Sequence, residues 1–153
     1  MTSMRRMVTS DSATVSRLSV KVNQTAFVEP IVETLADSAP KHDNFVIEDE
    51  NTVIGFFQID GLSGKQKIPD SLEVHEVMVD TRHQGKGHGK AFLLGLRPFL
   101  QIEYPEWRFA CLGVNCRNLK AIRLYEFGGF VDTGKIYSGG ASGPQHIMRL
   151  DLT

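Results

Sequence analysis

The chain has 153 residues, which fits one domain with its own hydrophobic core, and 17 basic residues nearly balance 18 acidic ones. A formal net charge of −1 provides no overall field for nucleic acid or an anionic membrane. No apolar run approaches the roughly 18 residues of a membrane-spanning helix, and no signal-peptide segment follows the early arginines. Cys111 and Cys116 make neither a disulfide framework nor a CxxC pair, which favours a reducing compartment. We therefore expect one soluble, cytoplasmic domain over residues 1–153.

The amino-terminal part is predicted to form two short helices and a β-hairpin. Ser10 or Asp11 is a candidate N-cap for a weakly amphipathic helix. Residues 27–40 form a second helical pattern that stops before the proline at its end. Two apolar runs within residues 44–60 flank the polar stretch Glu48–Asn51, which is the pattern of a hairpin.

Strand and helix patterns alternate after residue 70. The segment SLEVHEVMVD (71–80) reads as a strand, and apolar residues at helical spacing follow a glycine-rich stretch, in a helix that Pro98 should kink or end. RFACLGV (108–114) is a short buried strand, and NLKAIRLYEF (118–127) is a helix closed by two glycines. Two final strands follow. This order predicts an α+β or α/β sheet with a parallel pair at its centre.

The glycine-rich stretch QGKGHG places Gly85, Gly87 and Gly89 between a strand and a helix. The first N–H groups of a helix lack partners inside the helix and attract anions, so this arrangement favours a phosphate site. The spacing excludes a P-loop, which needs GxxxxGK followed by Ser or Thr, and a Rossmann GxGxxG fingerprint after the first strand.

Two motifs in this chain resemble those of the GNAT acetyltransferase superfamily. QGKGHG (84–89) is similar to its Q/R-x-x-G-x-G/A loop. VNCRNLKAIRLYEFGGF (114–130) is similar to its N-x-x-A-x-x-L-Y-x-x-x-G-F signature, in which the matching residues are Asn118, Ala121, Leu124, Tyr125, Gly129 and Phe130. The close resemblance covers residues 73–130, and a looser one points to bacterial spermine/spermidine acetyltransferases.

The resemblance implies an α+β fold, an α/β/α sandwich. Its mixed sheet has six or seven strands, mostly antiparallel with a splayed parallel pair at the centre, and about four flanking helices. It also implies acetyl-CoA as co-substrate, with the pyrophosphate on the backbone of residues 84–89 and pantetheine between the splayed strands. The implied cofactor-binding residues are Val77, Met78, Val79, Gln84, Gly85, Lys86, Gly87, His88, Gly89, Lys90, Asn118, Ala121 and Tyr125.

Acetyl transfer to an amine needs a base, a polarised carbonyl and an acid for the leaving sulfur. Strand alternation puts Glu73 and His75 on one face and Glu76 on the other. The resemblance implies bases at Glu73, our first choice, and His75, our second, whereas Glu76 is interpreted as structural. Tyr125 matches the family's acid, and a backbone N–H near residues 77–79 would polarise the carbonyl. Asn118 would cap its helix and bond pantetheine amides.

No metal site is predicted, because His75, His83 and His88 lack ligand spacing. Residues 29–50 contain seven acids and one lysine, a net −6, which favours a cationic acceptor beside the early helices.

The resemblance therefore predicts an enzyme that transfers an acetyl group directly to a small cationic primary amine in a ternary complex. The alternatives are acetylation of a protein N-terminus or lysine, a non-catalytic acyl-CoA sensor, and a nucleotide-phosphate binder of another class. The assembly state is left open, with a homodimer as one option.

Overall fold

The computed structural model describes residues 1–19, 42–61, 68–140 and 142–153. Its elements are, in chain order, β1 (Thr2–Arg6), α1 (Ser12–Ser16), β2 (Asp43–Asp49), β3 (Thr52–Asp60), β4 (Ser71–Val79), α2 (His88–Glu103), β5 (Phe109–Asn115), α3 (Leu119–Phe127), β6 (Val131–Tyr137) and β7 (Gln145–Asp151). Short 3-10 turns at Thr9–Asp11 and Thr81–His83 precede α1 and α2. The helix predicted at residues 27–40 lies outside the described residues.

The strands form one seven-stranded sheet in the order β1-β2-β3-β4-β5-β7-β6. Every neighbouring pair is antiparallel except β4 and β5, which are parallel. The ladder between these two joins only Ser71–Glu73 to Phe109–Cys111, although both strands continue well beyond it. The predicted mixed sheet with a splayed parallel pair at its centre is therefore confirmed.

Helices pack on both faces of the sheet, which confirms the predicted α/β/α sandwich. The main core lies between the sheet and α2, whose Phe92, Leu93, Leu96 and Leu100 are fully buried at helical spacing. On the opposite face, Val15 and Leu18 around α1 pack in a smaller buried cluster against the sheet. Within the described part of the chain, no helix combines the length and apolar character that crossing a bilayer requires.

Helix α2 continues through Pro98 to Glu103, so of the two expected effects of this proline, a kink or the end of the helix, the second does not occur. Proline removes one backbone hydrogen bond and clashes with the preceding turn, at a cost of about 3 kcal/mol. Leu96 and Leu100 lie on either side of it and are both completely buried. Their packing against the sheet outweighs the local penalty and keeps the last turn helical.

Strand β1 has no counterpart among the sequence-based predictions. Its sequence TSMRR contains one apolar residue, Met4, and therefore shows no alternation of apolar and polar positions. It forms because its backbone pairs along β2 at the edge of the sheet, with Thr2 opposite Asp49 and Arg6 opposite Phe45. Such pairing depends on a distant strand, so the local pattern carries no signal for it.

The turn from β1 into α1 is fastened by an ion pair between the partly exposed Arg5 and the buried Asp11. Arg5 donates to both carboxylate oxygens of Asp11 at 2.8 and 2.9 Å, and to Glu48 on β2 at 2.9 Å. The Val8 N–H also donates to Asp11, at 2.8 Å. The Arg5 hydrogen bonds, supported by the Val8 N–H, hold the pKa of Asp11 below its usual value although burial opposes this.

We predict that Asp11→Asn lowers the free energy of unfolding at pH 7 by about 1–3 kcal/mol, because the charged hydrogen bonds to Arg5 are lost. Since the folded state lowers the pKa of Asp11, its contribution is complete above the unfolded value near ~3.9 and disappears as the pH falls through the folded value. Urea unfolding of both proteins from pH 3 to 7 measures this difference. Equal stability at pH 7, or a difference that grows in acid, would contradict the assignment, and Glu106→Gln on the surface serves as the control.

Candidate active site

The loop between β4 and α2 has the backbone of an anion-binding turn. Gly85 and Gly87 have φ values of +77° and +85°, in the left-handed region that favours glycine. Gly87 is the N-cap of α2, no side chain caps this end, and the first bond of the helix runs from the Ala91 N–H to the Gly87 carbonyl. The N–H groups of residues 88–90 therefore have no acceptor within the helix, and the helix dipole adds partial positive charge there.

Glycine is required at the three positions of this loop for two different physical reasons. A Cβ at Gly85 or Gly87 would meet no protein atom within 4 Å, so these positions need glycine for their φ and leave space on the outer side. A Cβ at Gly89 would lie 3.3 Å from Leu124 Cδ2. Gly89 thus permits close packing of α2 on α3, and its predicted contact with the cofactor remains a prediction.

The start of the loop is anchored by Asp80, a buried residue to which the sequence analysis assigned no role. Its carboxylate accepts from the Ser19 N–H at 2.9 Å and from Arg82 Nε at 2.8 Å. Burial alone would raise the pKa of Asp80, but these two hydrogen bonds outweigh it and lower the pKa below its usual value. Next to it, Gln84 Nε2 donates to the Val79 carbonyl at 2.7 Å. The predicted loop residue Gln84 therefore ties the glycine turn to the end of β4.

The polar side chains of the loop are partly used in packing. His88 Nδ1 lies 3.0 Å from Thr2 Oγ1, so the His88 side chain points towards the edge strand β1. The backbone N–H of His88 is at the uncapped start of α2. Lys90 Nζ lies over the Phe127 ring, 5.4 Å from its centroid. The Lys86 side chain is exposed. Positive charge therefore remains beside the helix end, on the exposed Lys86 and Lys90.

An open strand edge runs from this loop along β4. Met78 is paired with Phe56 on β3, and the Asp80 N–H donates to the Ile54 carbonyl at 2.7 Å. Because N–H groups of an extended strand alternate between its two edges, those of Val77 and Val79 point away from β3, towards the gap where β5 has parted. One of the three backbone N–H groups predicted to polarise the carbonyl, that of Met78, therefore points to β3. The N–H groups of the two valines point into the gap.

A β-bulge interrupts β4 at Glu76, which has φ +53°. Between the pairs Gln58–His75 and Phe56–Met78, one residue of β3 faces two of β4. The bulge shifts the alternation: Val77 packs against the main core, whereas Met78 joins the cluster beneath α1. The expectation of strict alternation therefore holds as far as His75 and fails beyond it.

Tyr125 lies on α3, packs against the main core, and its ring makes an edge contact with Phe130 at 5.6 Å. Burial, together with the negative charge of Glu76, raises the pKa of Tyr125 to about 12. The phenol is therefore protonated at neutral pH and can donate a hydrogen bond. The difference between the pKa of Tyr125 and that of a thiol, ~8.5, is larger than the difference for an ordinary phenol. Glu76, interpreted from sequence as structural, thus acts electrostatically on the predicted acid.

Glu73 and His75 share a face of the sheet, as the alternation predicted, and His75 Nδ1 lies 3.6 Å from Glu73 Oε1. Glu73 is 2% exposed. The sequence did not indicate that Asp60 on β3 and His42 lie here as well: Asp60 Oδ2 is 3.7 Å from His75 Nε2 and 3.2 Å from His42 Nε2. The candidate bases therefore belong to a cluster of two carboxylates and two imidazoles.

Asn118 caps α3, as predicted. Its Oδ1 accepts from the Ala121 N–H at 3.2 Å. This bond accounts for the spacing of Asn118 and Ala121 in the second motif by helix capping. The predicted contacts of both residues with the cofactor remain predictions.

Comparison with known proteins supplies the family. The family model of the acetyltransferase (GNAT) domain matches residues 40–132, which is more than half of the chain. The chain belongs to the GNAT acetyltransferase family. It is also 30% identical over 94 residues to the uncharacterized N-acetyltransferase YbbJ of Bacillus subtilis strain 168. That alignment spans 59% of this chain and 59% of the length of the curated relative.

Solved structures show the same GNAT fold. The aminoglycoside acetyltransferase AAC(6')-Ib, in complex with paromomycin and acetyl-CoA, has a TM-score of 0.78 at 20% identity, covering 98% of this chain and 93% of that one. Spermidine N-acetyltransferase from Vibrio cholerae, in complex with CoA and spermine, has a TM-score of 0.74 at 22% identity, covering 99% of this chain and 95% of that one. At these identities the likeness establishes the fold.

We predict that Glu76→Gln lowers the pKa of Tyr125 from about 12 but leaves it above the ordinary value near 10, because burial is the larger cause. NMR of tyrosines labelled with ¹³C at Cζ, titrated from pH 8 to 13, measures this directly, and Tyr125→Phe assigns the signal. The matched control is Glu126→Gln on the exposed side of α3. An unchanged Tyr125 titration in Glu76→Gln would remove the proposed electrostatic link.

Proposed function

We propose that this chain transfers the acetyl group of acetyl-CoA to a primary amine in a ternary complex, with residues 1–153 acting as one domain. The observation that carries the proposal is the continuity between the uncapped start of α2 and the open edge of β4, joined by the Gln84–Val79 hydrogen bond. The helix end suits a pyrophosphate, and a free strand edge suits the amide groups of pantetheine. Acetyl-CoA carries both a pyrophosphate and pantetheine amides, so one molecule of it would occupy the helix end and the strand edge together.

The reacting groups lie on opposite faces of the gap between β4 and β5. Tyr125 packs on the face that carries α2 and α3, whereas Glu73 and His75 point to the other face. A thioester held in the gap would therefore present its sulfur to the phenol and its carbonyl carbon to an amine arriving from the other face. The amine nitrogen bonds to the carbonyl carbon, the carbon–sulfur bond breaks, the sulfur takes a proton from Tyr125, and the amine proton passes to the Glu73–His75 pair.

A base is needed because an alkylamine of pKa ~10.4 is neutral in only about one molecule in 2,500 at pH 7. Glu73 remains our first choice and His75 the second. Because His75 Nδ1 lies 3.6 Å from Glu73 Oε1, the amine proton can pass to either member of this pair. A protonated His75 would also lie 3.7 Å from Asp60.

The proposed acceptor is a small cationic amine, similar to a polyamine. Support comes from the buried carboxylates of Glu73 and Asp60 on the acceptor face, and from the amine ligands of the two structural neighbours, an aminoglycoside and spermine. The acids between residues 43 and 50 have another use, since they pair with Arg6, Arg5 and the amino group of Met1. A cytoplasmic location is part of the same proposal, and the assembly state stays open, with a homodimer as one option.

We predict that CoA raises the melting temperature of the protein, since a ligand at 100 times its Kd adds ~2.7 kcal/mol to stability. Gly87→Val should abolish this shift, because a branched side chain is strained at φ +85° and projects into the outer space of the loop. Gly87→Asn separates backbone strain from steric blocking of the ligand, since asparagine tolerates the left-handed conformation and still adds a Cβ. Differential scanning fluorimetry with CoA, and with ATP as a control nucleotide, measures all three proteins.

Full CoA stabilisation of a folded Gly87→Val protein would contradict the assigned pyrophosphate site. Equal stabilisation by ATP would favour a phosphate binder of another class.

We predict that Tyr125→Phe lowers kcat by roughly 10²–10⁴, with little change in CoA affinity, because the sulfur loses its acid. The measurement is free-thiol release with a panel of polyamines, aminoglycosides and lysine peptides. Tyr137→Phe, on exposed β6, is the matched control. A loss of less than threefold would assign Tyr125 to packing, and absence of thiol release with every amine, while CoA still binds, would favour an acyl-CoA sensor.

A further inference from the structure

Two imidazoles lie close to one carboxylate oxygen on the face of the sheet that carries Glu73 and His75, opposite α2 and α3. His42 Nε2 lies 3.2 Å and His75 Nε2 3.7 Å from Asp60 Oδ2, and the three ligand atoms all lie within 4.8 Å of one another. His42 directly precedes β2, Asp60 ends β3 and His75 is on β4, so three separate segments supply the donors. We propose that His42, Asp60 and His75 form a binding site for a divalent transition-metal ion of the Zn²⁺ class.

The spacing of the three atoms fits the coordination radius of such an ion. A circle through atoms separated by 3.2, 3.7 and at most 4.8 Å has a radius of no more than about 2.4 Å. Zinc bonds to imidazole nitrogen and carboxylate oxygen are about 2.0–2.2 Å long. Shifts of a few tenths of an ångström at the side-chain tips therefore suffice to seat the ion.

The donor set also fits by chemistry. Two imidazoles and one carboxylate are a common set for zinc and its neighbours in the first transition row. Three protein ligands leave a coordination position for water or another ligand. Asp60 is 5% exposed and Glu73 beside it 2% exposed, so the carboxylate donor lies out of bulk water.

Glu73 is placed to supply the outer contact that metal-bound histidines usually have. Its Oε1 lies 3.6 Å from His75 Nδ1, the ring nitrogen that faces away from Asp60. A proton held on Nδ1 by that carboxylate leaves the Nε2 lone pair directed at the ion. The carboxylate of Glu73, our first choice of base, would thus orient a metal ligand, and with the ion on His75 Nε2 the amine proton would pass to Glu73 alone.

The site can be reached from solvent. His42 lines a surface depression of about 330 Å³ together with Arg6, Asp43 and Asn44. The His42 side chain is 18% exposed and that of His75 is 27% exposed. The histidines considered as ligands from the sequence were His75, His83 and His88, and only the first of these lies here.

The test is metal binding by the full chain after treatment with EDTA. Titration with Co²⁺ should give one ion per chain and visible absorption bands of a four- or five-coordinate site, which Zn²⁺ then displaces. We expect His42→Ala and Asp60→Asn to weaken Zn²⁺ binding at least 100-fold in isothermal calorimetry, and Glu73→Gln to weaken it about 10–100-fold. His146→Ala removes an imidazole paired with Asp132 on the last two strands, and should change nothing.

Absence of saturable Zn²⁺ binding by the unmodified chain would overturn the proposal, as would binding that survives in a folded His42→Ala protein. Loss of binding in His146→Ala would assign the ion to a different place and overturn it equally. Circular dichroism melts establish folding, and the partly exposed His42 decides the outcome if the buried Asp60→Asn variant does not fold. These measurements require no acetyltransferase activity, so a failure of the proposed function leaves the result interpretable.

Discussion

The parting of β4 and β5 is the constraint on which the whole site depends. The two strands share only three pairs of residues before they separate, and each then runs on with one edge unpaired by the other. A buried strand edge without partners is costly unless something else bonds to it. The open edge of β4 therefore suits a ligand that brings its own amide groups, as proposed for pantetheine.

The bulge at Glu76 determines which face of the sheet each side chain of β4 takes beside this gap. It occurs directly after the His75 position, so Glu73 and His75 keep the face set by the first half of the strand, and Val77 turns into the main core. The bulge also holds the backbone of Glu76 in a left-handed conformation, which is uncommon for a residue other than glycine. Such strain persists where surrounding structure enforces it, and it often marks a functional site. Here it brings a negative charge within electrostatic reach of Tyr125.

Local signals in the sequence predicted most of this architecture. The hairpin β2–β3, the strand β4, the glycine turn, and the Asn118 cap all depend on residues within a few positions of one another. The bulge was not predicted, although the alternation in LEVHEVMV breaks at the consecutive polar residues His75 and Glu76, because two adjacent polar residues can also mark an exposed strand end. Asp60 and His42 were missed because their contact with His75 is set by strand pairing across 15 to 33 positions. β1 was missed for the same reason.

The most direct test of the account is an amide map of acetyl-CoA analogue binding. ¹⁵N NMR spectra of the full chain, recorded with and without CoA, report on each backbone N–H separately. The account predicts that the amides of Val77, Val79 and residues 88–90 shift and gain protection from hydrogen exchange. Amides at the far edge, in residues 131–133 of β6, should stay unchanged. If CoA binds but leaves the amides of residues 88–90 unshifted, the pyrophosphate lies elsewhere and the central claim is contradicted.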